Sequence, residues 1–247
     1  MHIAIAGGHS ANARGASGFI DEYDCDRAFV AQLIPAFESQ GWYVTDCSND
    51  AYSVNGELAE ECRIANESGA DLFIAVHFNA GGGTGTEVWH YPGSSAESYA
   101  ESVSSELASA LGLRNRGAKA TTGFYVLNRT TMPAILIEVC FVDTEQDADA
   151  WHATSWDALC GAVVRGLGGD YENNENQEEE DMGLTEHQDK LLATIYEQVT
   201  GTYDPTGRGV ELCDHDHIKY IGKAVADNAA AIKAVDAKLD KLIAKLG

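Results

Sequence analysis

Residues 70–80 read ADLFIAVHFNA, and the fold follows from how this stretch is built. Leu72 to Val76 is an unbroken apolar run, too short for a globular helix and suited to a strand buried on both faces. It ends at His77, with Asn79 just beyond, so polar groups stand where the strand leaves the core. The pattern recurs twice. His2 to Ala6 (HIAIA) runs into Gly7, Gly8 and His9, and Ile135 to Ile137 runs into Glu138. In a mostly parallel α/β sheet, three such strands bring His9, His77 and Glu138 together at their carboxyl ends, where sheets of this kind place their sites.

Between these strands the chain alternates. Asp24 to Ser39 carries Ala28, Phe29, Leu33, Ala36 and Phe37 on helical spacing, with Glu22 at or just before its first turn. Gly41 stops this helix, and Trp42 to Thr45 is a short strand. Ser53 to Ser68 is a second helix ending at Gly69. The order β-α-β-α-β favours parallel crossovers. Further on, Glu87 to Tyr91 is a strand, Ser94 to Leu111 a helix, Phe124 to Leu127 and Ala134 to Val139 strands, and Asp143 to Leu167 the last helix. The expected architecture is α/β: a three-layer domain over residues 1–170 with a mostly parallel central sheet flanked by helices.

Residues 171–181, which include the run ENNENQEEED, are polar and acidic, as expected of a linker. Residues 182–247 are expected to form a small helical domain for oligomerisation or wall binding. Its last segment spaces Ile218, Ile221, Val225, Asn228, Ile232, Val235, Leu239, Leu242 and Leu246 by threes and fours, a heptad repeat that predicts a coiled coil and a homo-oligomer through residues 218–246. A lone amphipathic helix lying on its own domain is the plainer alternative.

The 247 residues and 45% hydrophobic content suffice for one sizeable core. With 39 acids against 16 bases, the net charge of −23 works against nucleic acid or anionic lipid as a partner. The six cysteines show no CxxC pair and read as mostly reduced. No basic-then-apolar leader or membrane span is evident, so the expectation is synthesis in the cytoplasm without membrane insertion.

The glycine-rich stretch GGHSANARGASG (7–18) lets the backbone pass close to a ligand or metal. It lacks the spacing of a phosphate-cradling loop. His9, His77 and one carboxylate, either Glu22 or Glu138, would give a hydrolytic zinc site three protein ligands, leaving the other glutamate to handle a proton. Spacing alone does not say which glutamate does which. Arg114, Arg116, Lys119 and Arg129 put cations on one stretch of an acidic chain, read as a solvated loop or as a basic wall facing an anionic substrate.

Five ordered blocks, AGGHS, GASGFIDE, RIANESGADLFIAVHFNA, GTEVWHY and YVLNRTTMPAILIEVCFV, resemble the zinc-dependent N-acetylmuramoyl-L-alanine amidases, phage and prophage endolysins among them. The resemblance covers about residues 2 to 168. It implies zinc bound by His9, Glu22 and His77, with Glu138 as the catalytic glutamate. The implied reaction is hydrolysis of the amide between N-acetylmuramic acid and the L-alanine of the peptidoglycan stem, on the bacterial cell wall after release from the cell. Asn79, Arg116 and Arg129 are candidate substrate contacts, and Asn79 reads equally as a cap of its turn. A related zinc peptidase and a non-catalytic wall-binding protein are the competing functions. His90, His215 and His217 stay outside the metal site.

Overall fold

A computed structural model describes residues 1–51 and 53–171. In chain order the elements are β1 (His2–Gly7), α1 (Glu22–Ser39), β2 (Tyr43–Asp46), α2 (Val54–Ser68), β3 (Leu72–Asn79), β4 (Thr86–His90), α3 (Glu97–Leu111), β5 (Asn115–Ala120), α4 (Tyr125–Arg129), β6 (Ala134–Phe141), α5 (Glu145–Ala153) and α6 (Trp156–Gly166). The strands form one sheet in the order β2-β1-β3-β6-β4-β5. β1, β2, β3 and β6 run parallel, while β4 lies antiparallel to β6 and parallel to β5. The sheet is therefore mixed, with the parallel part where the sequence places it.

Alternation along the strands sorts the two faces. Ile3, Ile5, Leu72, Ile74, Val76, Ile135, Ile137 and Val139 join one core with residues of α1, α3, α5 and α6. Ala4, Ala6, Phe73, Ala75 and Leu136 face the other way, against Cys62 and Ala65 of α2 and Val126 and Leu127 of α4. Side chains such as Phe29, Phe37, Phe73 and Leu107 are fully buried, each stabilising the fold by about 1.5–3 kcal/mol.

Helix ends follow local chemistry. Asp21 caps α1 by accepting from the Asp24 N–H, so the helix starts at Glu22. Ser53 caps α2 in the same way, and Gly69 closes it in the left-handed region at φ 70°. Three expectations are corrected. Phe124 to Leu127 is not a strand: Tyr125–Arg129 forms α4, and the Asn128 amide bonds the Phe124 carbonyl at 2.6 Å. The cationic stretch 113–122 is not merely a loop, since Asn115–Ala120 pairs with β4 as β5. Asp143 to Leu167 is two helices, separated where the Ser155 hydroxyl accepts from the Ala158 N–H and starts α6.

Five cysteines, at 25, 47, 62, 140 and 160, are buried and free. No helix among the described residues is long and apolar enough to cross a membrane. The acidic linker beyond Tyr171, the helical domain of 182–247 and the heptad seam of 218–246 lie outside the described residues.

Candidate metal centre

His9 leaves the end of β1 in a left-handed backbone conformation, φ 63°, unusual for a residue with a side chain. Two groups hold it there. The Arg27 guanidinium donates to the His9 carbonyl at 2.6 Å and to the Asn49 carbonyl at 2.8 Å, and the Glu57 carboxylate accepts from the His9 backbone N–H. Close approach explains two of the loop glycines. A Cβ on Gly8 would stand 2.2 Å from the His77 ring, and one on Gly15 would stand 2.5 Å from both Glu22 Oε2 and the His9 ring.

Glu22 opens α1 and is buried between the two histidines. Its Oε1 lies 3.0 Å from His9 Nε2 and 3.3 Å from His77 Nδ1, and accepts from the Phe78 N–H at 3.2 Å. Its Oε2 accepts from the Ala16 N–H at 2.8 Å. Burial alone would raise the Glu22 pKa, but hydrogen bonds from His77 and His9 outweigh it and bring it down to about 2. Burial likewise opposes a charge on His9, and the bond to Glu22 reverses the balance, so its pKa is raised.

A fourth residue joins them. Asp26, one helical turn after Glu22, is fully buried, and neither carboxylate oxygen has a hydrogen-bond partner. Burial first, then repulsion from Glu22 and Glu138, push its pKa well above the carboxylate range. His9, Glu22, Asp26 and His77 each offer a donor atom, and these atoms lie within 4.8 Å of one another. Two imidazoles, an ionised carboxylate and a buried orphan carboxyl at one point are the donor set that suits a divalent cation. Sequence reading missed Asp26, although its i, i+4 spacing from Glu22 on a helix was a usable signal.

Glu138 pairs directly with His77 across β3 and β6. Its Oε2 is buried without a partner, and burial, followed by repulsion from Glu22 and Glu87, pushes its pKa up to about 8. It is not among the four converging donors. Beyond it, Glu87 of β4 faces Glu138 in register and gathers four donors: Arg116, Lys119, the Asn79 amide at 3.0 Å and the Trp89 indole at 3.2 Å.

The remaining candidates separate. Asn79 caps its turn, accepting from the Ala80 N–H at 2.9 Å, and its amide donates to Glu87. Arg116 reaches Glu87 at 2.5 Å. Arg129 ends α4, stacks over Tyr125 at 5.6 Å and accepts through its carbonyl from Asn66, near the end of α2. That places it toward the edge of the sheet where β3 and β6 begin, opposite the histidines. His90, 3% exposed, pairs with Ile135 at that same far edge.

Residues 3–168 match the family model described as N-acetylmuramoyl-L-alanine amidase. The N-acetylmuramoyl-L-alanine amidase CwlM of Bacillus licheniformis is 44% identical over 111 residues, 44% of this chain and 42% of that protein. The endolysin of Bacillus phage SPP1 is 33% identical over 155 residues, 59% of this chain and 56% of that protein. Among solved structures, the catalytic domain of the CD27L endolysin targeting Clostridia difficile superposes with a TM-score of 0.65 at 28% identity, covering 70% of this chain and 99% of that one. The chain spans about half the length of curated relatives it matches, 51% and 57% for two Clostridium perfringens proteins. Since the match runs from β1 through α6, the whole described fold, the chain belongs to the N-acetylmuramoyl-L-alanine amidase family.

Proposed function

We propose that the chain hydrolyses the amide between N-acetylmuramic acid and the L-alanine of the peptidoglycan stem, with zinc held by His9, Glu22 and His77 and Glu138 as the catalytic acid–base group. The observation that carries this reading is the meeting of His9 Nε2 and His77 Nδ1 on one oxygen of Glu22, with Glu138 in register beside His77 and its Oε2 buried without a partner. Zinc, when bound, supplies Lewis acidity toward a carbonyl and makes water acidic near neutrality.

The protein's own groups do the rest. Glu22, already held ionised, keeps a negative charge at the donor cluster. Glu138, when ionised, takes the proton of the attacking water and returns it to the departing amine, a role suited to a carboxyl that its surroundings raise out of the ordinary carboxylate range. Arg27 and Glu57 hold His9 in its left-handed turn, and Asn79 keeps Glu87 aligned next to Glu138.

Similarity to two endolysins supports use of this activity in lysis of the bacterial wall. The heptad spacing of 218–246 supports a homo-oligomer, and a monomer mass for the full chain in light scattering would contradict it. Digestion of purified peptidoglycan with the zinc-loaded chain tests the reaction. The expected product is free stem peptide beginning with L-alanine, and cleavage between amino acids would point to a peptidase instead. E138Q should retain stoichiometric zinc while hydrolysis falls by about 10²-fold or more.

A further inference from the structure

Directly opposed residues of neighbouring strands share a face, so the pairings His77 with Glu138, Glu138 with Glu87, and Glu87 with Gly117 draw one row across four strands. At its end the register slips. Thr86 pairs with Asn115 but Glu87 with Gly117, leaving Arg116 as the extra residue of a bulge, with Gly117 at φ 81°. A bulge re-aims a side chain, and here it turns Arg116 onto the carboxylate that Lys119 also reaches.

The result is a built cluster with a surplus of positive charge. Glu87 has a side chain only 4% exposed, whereas those of Arg116 and Lys119 are 26% and 30% exposed. Arg116 lies 4.9 Å over the Phe141 ring and Lys119 lies 5.1 Å over that of Trp89, which restrains both heads. Glu87 takes one donor from each cation, and the Thr84 carbonyl stands 3.5 Å from another Arg116 nitrogen. A guanidinium and an ammonium carry more donors than these. One carboxylate between two cations leaves a net positive spot on a chain of net charge −23.

We propose that Arg116 and Lys119 form a subsite for a carboxylate of the leaving peptide, which orients the substrate with its peptide running toward β5 and its sugar toward β2. This rests on the amidase reading above. Because Glu138 returns a proton to the departing amine, that amine sits on the Glu138 side of the donor cluster, and the peptide continues past it along the row. Adjacent strands are about 4.8 Å apart and an extended peptide advances about 3.5 Å per residue. The cations, gathered at Glu87, therefore meet a carboxylate within about two residues of the scissile amide.

The test uses two N-acetylmuramoyl dipeptides that begin with L-alanine and end in either a free carboxylate or a carboxamide. The full zinc-loaded chain should favour the carboxylate by about tenfold in kcat/KM, and added salt should reduce the preference. K119M should lose that preference through a raised KM for the carboxylate, with KM for the carboxamide within roughly twofold of that of the unsubstituted chain. Adding E87Q to K119M frees Arg116 from its carboxylate and restores one net positive charge, so this double variant should recover the preference. Equal hydrolysis of both probes by the unsubstituted chain, or an equal rise in KM for both probes in K119M, would overturn the subsite alone. Release of L-alanyl peptide from neither probe would overturn the amidase reading and the subsite with it.

Discussion

Replacing Arg27 by methionine should loosen metal binding without touching a metal donor. The side chain is 23% exposed and makes two bonds to carbonyls, at 2.6 and 2.8 Å. Charged donors to neutral acceptors contribute about 1.5–3 kcal/mol each. Partial exposure argues for the lower value, so the two together stabilise the loop by about 3 kcal/mol. At roughly 2–4 °C per kcal/mol for a domain of this size, the melting temperature in chelator should fall on the order of 10 °C. More telling is His9 itself, whose left-handed backbone costs on the order of 1–2 kcal/mol and is held against that cost by Arg27 and Glu57. Freed from Arg27, the residue relaxes, and groups that orient a ligand are worth about 10–100-fold in metal affinity. Competition with a chromophoric chelator measures this directly, with R27K expected to fall between. Zinc affinity within roughly twofold of the unsubstituted chain, alongside a lowered melting temperature, would refute the claim that Arg27 positions His9.

Two further predictions follow from buried groups. Glu61, 1% exposed on α2, has its pKa pushed up to about 8 by burial and then by Glu57. Unfolded, it ionises near 4.5, so between that pH and about 8 the folded chain keeps a proton that the unfolded chain releases, and stability falls as pH rises. Urea unfolding in chelator across this window should show a shallower decline for E61Q, and an unchanged slope would count against the assignment. Gly8→Ala places a methyl 2.2 Å from the His77 ring, and should lower bound zinc per chain, measured by elemental analysis, more than it lowers the melting temperature. A fully loaded variant would contradict it.

What was legible in the sequence was what burial writes most plainly. Parallel strands covered on both faces are continuous apolar runs, so 72–76, 2–6 and 135–137 stood out, and the polar residues ending them marked the site edge. Harder to see were polar residues inside. Asp26, Glu57 and Glu61 look like the solvent faces of amphipathic helices, yet each is buried near the donor cluster or the clamp on His9. Their i, i+4 pairing is a pattern that solvated helices also use. β5 lacks apolar alternation because it pairs only with β4, at the edge of the sheet. Short apolar runs such as FYVL read equally as strand or helix, and tertiary contacts with α2 and β6 decide for α4. The cap at Ser155 was present in the sequence as a serine before Trp156 and Asp157, and the apolar spacing on both sides obscured it.

The most direct test of the central claim is a crystal structure of the full chain grown with zinc, with anomalous scattering collected at the zinc edge. A single peak bonded by His9, Glu22 and His77, with Glu138 nearby and not coordinated, is the expected result. A peak elsewhere, or one in which Glu138 replaces Glu22 as a ligand, would contradict it.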